Sequence, residues 1–329
     1  MRIIGASKEQ EKAHFLRGIV EMVDAEKMPG SALRGELRRD EPMARHVSWK
    51  AGGPADRFFA PVDLEDLSAF LGQLPEEEPI LFVGLGSNLL VREGGWRGTV
   101  ILTYAASKRP RMEDGLLYAE AGVACPRVAR FAADNNLGSA EWLTGIPGTV
   151  GGALAGNAGC YGGETWDIVE RVVTINRRGQ LRRRAATEFE FGYRRCELKT
   201  DASSDGDEWF ASAHFKLPEG DREESRAIMQ ALLTKRRATQ PLQLPNAGSV
   251  FRNPAEGKPA AKLIQFAGLR KHQIGGARVS EKHANFIVNP GSAASAGDIE
   301  ALILHVQAVV EEKTHVQLVP EVRIVGEVK

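Results

Sequence analysis

Three polar residues stand where their chemistry has to be explained. Arg194 lies among aromatics in "FEFGYRRCEL" (189–198), directly after Tyr193. An arginine in apolar surroundings is costly unless an anion pairs with it; that anion is either an internal glutamate or a ligand. Ser249, in "PNAGSVFRNP" (245–254), sits between Gly248 and a β-branched residue. It is either a turn or cap residue or a proton donor, because the elbow expected of a serine nucleophile is absent. Glu321 alternates with Arg323 in "PEVRIVG" (320–326). On a strand both would point to one face, as a salt bridge or as part of a site. "SEKHANFIVN" (280–289) sets Glu281, Lys282, His283 and Asn285 ahead of an apolar run, where a histidine is ordinarily structural.

A second group of residues offers backbone rather than side chains. "TGIPGTVGGALAGNAGCYGG" (144–163) is dense in glycine and carries no charged residue. Glycine is costly inside a helix or strand, so the segment is expected to be neither. A glycine-lined surface lets amides point at phosphates and a flat ring. "GLGSN" (Gly84 to Asn88) follows the apolar "PILFV" directly and reads as an anion-binding turn. It lacks the third glycine and the following helix of a Rossmann fingerprint. Two such elements together suit a dinucleotide. "KAGGPADRFFAP" (50–61) adds Lys50, Gly52 and Gly53, with Lys50 either on a phosphate or solvated.

The elements that must position these residues follow from periodicity and breakers. Residues 8–28 predict an amphipathic helix, with Phe15, Ile19, Val20 and Val23 on one face, broken by "MPGSALRGE". Strands are expected at 79–91, in "TVILTYA", in "LLYAEAGV" and in "WFASAHFKL". A helix over 126–138 opens on proline and closes on glycine. "IVERVVTINRRGQLRRRAA" predicts a hairpin turning at Arg178-Gly179, and "DASSDGDE" a surface loop. From 222 come a charged helix, a short helix in "AAKLIQFAG" and a strand in "ANFIVNP". Ser295 and Asp298 then open a helix with Ile299, Leu302, Ile303, Val306, Val309 and Val310 on one face, before a closing strand in "QLVPEVRIVGEV". This is no regular βαβ alternation. The 329 residues divide into an arm (1–45), a unit at 46–220 with a split near 107, and a unit at 221–329.

Lys+Arg and Asp+Glu number 43 each, giving no basic excess for nucleic acid or a membrane surface. No apolar run reaches the ~20 residues of a membrane span, and the N-terminus lacks a secretory pattern. A cytoplasmic protein is expected, with Cys125, Cys160 and Cys196 reduced and no metal site.

Taken in order, "KAGGPAD", "GLGSNLLV", "GIPGTVGGA…NAGCYGGE", "FGYR", "NAGSVFRNP", "SEKHANFIVN" and "PEVRIVG" resemble the UDP-N-acetylenolpyruvoylglucosamine reductase (MurB) family over roughly residues 46–326. The resemblance implies an α+β flavoprotein of the vanillyl-alcohol-oxidase (PCMH) type. Two α+β subdomains hold FAD non-covalently, and a C-terminal α+β domain binds the UDP-sugar. NADPH is the implied co-substrate, and UDP-N-acetylglucosamine enolpyruvate becomes UDP-N-acetylmuramate for peptidoglycan. The family's catalytic arginine, proton-donating serine and C-terminal glutamate match Arg194, Ser249 and Glu321.

Cofactor contacts carry over to Lys50, Gly52, Gly53, Gly84, Gly86, Ser87, Asn88, Leu89, Thr144, Gly145, Ile146, Pro147, Gly148, Gly151, Gly152, Asn157 and Gly159. Substrate contacts carry over to Tyr193, Lys282, His283 and Asn285. "GSVF", without a long tyrosine-bearing insertion ahead of the serine, resembles the shorter type II branch. Arg195 and Cys196 after "FGYR", the run Leu154, Ala155 and Gly156, and "HVSWKAGG" depart from the family's usual forms.

On this resemblance a hydride from flavin N5 adds to the enolpyruvyl terminal carbon. Charge then builds on the neighbouring carbon beside Arg194, and Ser249 supplies the proton. A monomer is expected. Two other readings remain: another flavin oxidase or dehydrogenase on the same scaffold, and a nucleotide-binding sensor without turnover.

Overall fold

The computed structural model describes residues 33–199 and 206–329. The predicted arm helix at 8–28 and most of the loop "DASSDGDE" lie outside these residues. The first sheet is built from β1 (Glu36–Pro42), β2 (Pro54–Ala60), β3 (Ile80–Val83) and β5 (Trp96–Leu102), in the order β1-β2-β5-β3. β2 and β3 both run parallel to β5. A parallel pair needs a crossover, and α1 (Leu64–Leu71) supplies it. Sequence reading missed this helix, although Asp63 caps it by accepting from the Asp66 amide. Phe70 of α1 stacks on Phe59 of β2 at 3.9 Å. β4 (Leu89–Val91) leaves this sheet and starts a second pairing, completed by the chain's last strand.

The second sheet is antiparallel, in the order β11-β10-β14-β7-β6. Its strands are β6 (Arg111–Glu113), β7 (Leu116–Glu120), β10 (Val169–Asn176), β11 (Leu181–Ala185) and β14 (Glu208–Phe215). β10 and β11 form the expected hairpin, with Gly179 at φ 78° in its turn. Helix α2 (Cys125–Asp134) covers one face through Val128, Ala129 and Ala132. It does not close on Gly138 as predicted. Asn135 caps it, and Asn136 takes the left-handed conformation at φ 54°, a position asparagine tolerates.

The glycine-rich segment holds a helix after all, α3 (Val150–Ala155). Val150, Ala153 and Leu154 are buried against the sheet. A Cβ on Gly151 would come 2.9 Å from that of Ala121, so glycine is what brings the helix this close. Backbone bonds from Val150 to Val123 and from Gly151 to Ala121, both 2.9 Å, stitch it down. Tertiary packing here overrides a poor intrinsic propensity. Two small hairpins complete this region: β8 (Gly159–Cys160) with β9 (Gly163–Glu164), and β12 (Phe189–Gly192) with β13 (Arg195–Leu198).

Helix α4 (Arg222–Thr239) is capped by Asp221 and packs back on α2, with Ser225 Oγ donating to Glu141 at 2.6 Å. Beyond it a separate core gathers α5 (Ala260–Phe266), a small sheet of β15 (Gln273–Ile274), β16 (Ala277–Val279) and β17 (Ile287–Val288), and α6 (Ala296–Thr314). The Ser295–Asp298 capping box is present, and all six predicted α6 residues face this core, Val309 only partly buried. Trp49 anchors the core to the first unit, its indole donating to the Ile287 carbonyl at 2.8 Å.

Two predicted strands are much shorter than expected. The run "ANFIVNP" keeps only β17, because Asn285 pairs its side chain with Phe251 and Phe286 folds back on Ser280. The closing strand shrinks to β18 (Arg323–Val325), parallel to β4. Pro320 has no amide to continue a ladder, and the residues before β18 instead bond to Val250 and Arg252.

Candidate functional site

The glycine turn Gly84 to Asn88, expected from sequence to bind an anion, is the first element of the candidate site. β3 runs into Gly84, and Gly86 adopts φ 59°. A side chain at Gly86 would collide with the His46 carbonyl, and one at Gly84 with Thr149. The turn is thus wedged between the loop before Lys50 and the start of α3, and Ser48 donates to the Gly86 carbonyl at 3.0 Å. Among the described residues, the amides of Leu85, Gly86 and Ser87 donate to no protein acceptor. Successive free amides on a tight turn form an anion-binding concavity.

Beside them opens a cavity of about 590 Å³, lined in part by Ser48, Lys50, Gly84, Leu85, Ser87 and Pro147. Arg236, Leu242, Asn246 and Gly248 also line it. Arg45, Lys50 and Arg236 line it, and no carboxylate does among the described residues. Amide donors with cations and no acid suit a phosphate-bearing ligand.

The other predicted cofactor residues fall into distinct settings. Gly52, at φ 143°, and Gly53 press on the backbone of Val91 and Glu93. Gly148 lies beside Ser87, and Gly152 is exposed on α3. Thr144 and Ile146 are buried, Gly145 backs onto Cys160 and Tyr161, and Leu89 is a core residue of β4. Asn157 is buried, and its amide is committed to Glu164, Gly192 and the Trp166 amide. It braces the segment rather than presenting a side chain to the cleft. The Gly159 carbonyl is taken by Arg194 Nη2 at 3.3 Å.

The three polar residues form one connected constellation. Tyr193 and Arg194 are the tip of the β12–β13 hairpin, and Arg194 takes φ 56°. Its Nε donates to Glu321 Oε1 at 2.6 Å. The glutamate's partner is therefore Arg194 and not Arg323, which is exposed at the head of β18; Glu321 lies before that strand. Burial pushes the Glu321 carboxyl up, and Arg194 and Arg252 pull it back toward ionisation.

The Glu321 amide donates to the Val250 carbonyl at 2.7 Å, immediately after Ser249. Asn88, at the end of the glycine turn, donates to the Glu321 carbonyl at 3.1 Å. Ser249 is half-buried, and its hydroxyl has no protein partner among the described residues. The cavity reaches Gly248, its neighbour, but its lining stops short of Arg194, Ser249 and Glu321.

The predicted substrate contacts divide. Tyr193 is exposed, its ring 5.2 Å from the Arg194 guanidinium carbon and its hydroxyl accepting from the Asn253 amide at 3.4 Å. Lys282 donates to the Arg237 carbonyl. His283 rests edge-on to Phe286, its pKa lowered by burial and then by Arg270. Asn285 is buried, its amide clamping the Phe251 N–H at 3.0 Å and carbonyl at 2.8 Å. It supports the serine loop from behind and is not open to a ligand. Sequence reading missed Arg236 and Asn246 of the cavity wall; "KRRATQ" offered only charge on a helix, with no signal separating the half-buried Arg236 from its exposed neighbour.

Comparisons with known proteins bear on both halves of the chain. Residues 55–184 match the FAD binding domain family, and residues 240–325 match UDP-N-acetylenolpyruvoylglucosamine reductase, C-terminal domain. A UDP-N-acetylenolpyruvoylglucosamine reductase of Nitrosospira multiformis is 53% identical over 315 residues, covering 90% of each chain. One of Thiobacillus denitrificans is 50% identical over 322 residues, covering 93% of this chain and 98% of its own. The crystal structure of the Thermus caldophilus UDP-N-acetylenolpyruvylglucosamine reductase (MurB) superposes with a TM-score of 0.71 at 30% identity. That match covers 89% of this chain and 99% of the other.

Proposed function

The chain belongs to the UDP-N-acetylenolpyruvoylglucosamine reductase family, and from that premise we propose that Arg194, Ser249 and Glu321 carry its reaction. The enzyme is a UDP-N-acetylmuramate dehydrogenase of peptidoglycan synthesis, with FAD as cofactor and NADPH as co-substrate. When bound, FAD would supply the two-electron redox chemistry that links NADPH to the enolpyruvyl double bond. The free amides of Leu85, Gly86 and Ser87 would hold its phosphates, backed by the glycine-rich 144–152 stretch.

Arg194 meets the substrate carboxylate, into which negative charge spreads as the double bond is reduced. Its planar fork suits that group, with Nε held by Glu321 and Nη2 by Gly159. Cationic donors placed where charge develops contribute about 3–4 kcal/mol each. Glu321 orients the guanidinium rather than meeting the growing anion itself. Ser249 gives its hydroxyl proton to the carbon next to the carboxylate and is reprotonated from solvent; an unpartnered hydroxyl is free to do so. In this reading residues 46–220 form the cofactor unit, 221–329 bind the UDP-sugar, and a monomer works in the cytoplasm.

The carrying observation is the 2.6 Å Arg194–Glu321 contact, joined to the serine loop through the Glu321–Val250 backbone bond. The test is anaerobic: NADPH should bleach the bound flavin, and UDP-N-acetylglucosamine enolpyruvate should restore its colour. Recovery of colour with oxygen alone, and none with the UDP-sugar, would refute the reading.

A further inference from the structure

At 2.6 Å the Arg194 and Glu321 side chains neutralise one another, yet the substrate group assigned to Arg194 is itself an anion. A neutral pair attracts a carboxylate far less than a lone guanidinium does. A further positive charge stands across the backbone from Glu321. The serine loop and the segment before β18 run antiparallel. The Glu321 amide bonds to the Val250 carbonyl at 2.7 Å, Phe251 bridges Pro320, and the Arg252 amide bonds to the Val319 carbonyl at 2.9 Å. This register sets Arg252 diagonally from Glu321 on the same face, a spacing that a long side chain spans.

Arg252 is half-buried, and its Nε is buried without a hydrogen-bond partner. Among the described residues its guanidinium makes no hydrogen bond and no close ion pair. Its charge acts on Glu321 all the same, alongside that of Arg194. A guanidinium held partly from water is costly unless a negative charge nearby uses it. The other groups around the carboxylate bring no charge to it. Asn88 is neutral, the Tyr193 hydroxyl accepts from the Asn253 amide, the Cys160 thiol turns to the Trp142 carbonyl, and Arg323 is exposed.

We propose that Arg252 is a positioning residue that acts through Glu321: it offsets that carboxylate, so the Arg194–Glu321 pair presents a net positive charge to the enolpyruvyl carboxylate. This role rests on the reaction proposed above for Arg194. Arg252 itself touches no reacting atom. Negative charge that spreads into the substrate carboxylate is then met by a cation whose charge is not already cancelled.

The test is stopped-flow absorbance of NADPH-reduced holoenzyme mixed with UDP-N-acetylglucosamine enolpyruvate. In mildly alkaline buffer Arg252→Met should slow flavin reoxidation about tenfold or more, and Arg252→Lys should keep most of the rate, because a point charge serves here. The loss in Arg252→Met should shrink as pH falls. The Glu321 carboxyl, raised by burial and no longer pulled down by Arg252, then takes up its proton and loses its negative charge. Glu321→Gln removes the same charge, so in that background Arg252→Met should cost under about threefold. Calorimetric titration of oxidised holoenzyme gives a readout without turnover. The affinity for UDP-N-acetylmuramate, which carries a carboxylate, relative to UDP-N-acetylglucosamine, which does not, should fall about fivefold or more in Arg252→Met. No loss, or an equal loss at every pH and in the Glu321→Gln background, would overturn the proposal and make Arg252 a direct ligand contact or a structural residue. Should Arg252→Met emerge without flavin, Arg252→Lys against Arg252→Gln carries the same comparisons. Wild-type enzyme that NADPH bleaches and the UDP-sugar does not reoxidise would instead count against the reaction itself.

Discussion

Arg194 Nε and Glu321 Oε1 lie 2.6 Å apart across 127 residues of sequence, a hairpin tip meeting the segment ahead of the last strand. The carboxylate is buried enough that its pKa is raised even with the guanidinium beside it. Its side chain therefore does most by fixing the arginine. Glu321→Gln keeps an acceptor for Nε, and turnover is expected within about tenfold of wild type. Arg194→Met removes the cation and should slow flavin reoxidation by the UDP-sugar about 10²–10³-fold. Stopped-flow absorbance of the flavin separates the two half-reactions. Loss as severe in Glu321→Gln as in Arg194→Met would assign the glutamate charge a direct role.

Ser249 offers a sharper separation. The hydroxyl has no protein partner among the described residues, so its removal breaks no internal bond. Ser249→Ala should leave NADPH bleaching of the flavin intact and slow the oxidative half-reaction by about 10²–10⁴, the range for a lost acid or base. Equal loss in both half-reactions would remove the proton-donor role.

Asn285 is expected to act through that serine. Its amide satisfies both the N–H and the carbonyl of Phe251, and its own carbonyl accepts from Val250 at 2.9 Å. Asn285→Ala leaves two buried backbone groups unpaired, at about 1–3 kcal/mol each, visible as a lowered unfolding midpoint. A positioning role predicts more than lost stability. The substitution should slow reoxidation about tenfold in the wild-type background and under twofold in the Ser249→Ala background, a coupling that a double-mutant cycle measures. Additive losses would make Asn285 structural only.

The sequence shows strands β3, β5, β7 and β14, the β10–β11 hairpin, the α6 capping box and the glycine turn after β3, because each rests on local signals. What it hides is non-local. Helix α3 is invisible in a run of glycines because its stability comes from packing on Ala121 and Val123. Asn285 resembles a ligand contact in sequence, but the chain folds its amide onto Phe251, 34 residues away. Glu321 has Arg323 as its neighbour in sequence and Arg194 in space. Residue type was informative at these positions; the partner was not.

Gly86 tests the phosphate turn. Its φ of 59° and the adjacent His46 carbonyl leave no place for a side chain. Strained conformations of this kind cost about 1–3 kcal/mol, and the collision adds to that. Gly86→Ala should lower the unfolding midpoint and weaken flavin retention together, because the free amides of Leu85 to Ser87 move with the turn. Unaltered flavin retention in a folded variant would place the phosphates elsewhere.

Asp298 gives α6 a pH-dependent contribution. Its carboxylate accepts from the Ser295 amide at 3.0 Å and the Gly276 amide at 3.2 Å, and these bonds lower its pKa from 3.8. A carboxylate lowered by folding stabilises the fold fully above its unfolded value and loses that contribution as pH falls through the folded value. Asp298→Asn should cost about 1 kcal/mol at neutral pH, the scale of a helix cap. The gap between wild type and variant, read from thermal unfolding midpoints, should close below about pH 3.8 as the wild-type group takes up its proton. A gap that widens on acidification would mean the protonated acid is the stabilising form, contrary to two amides aimed at its Oδ2.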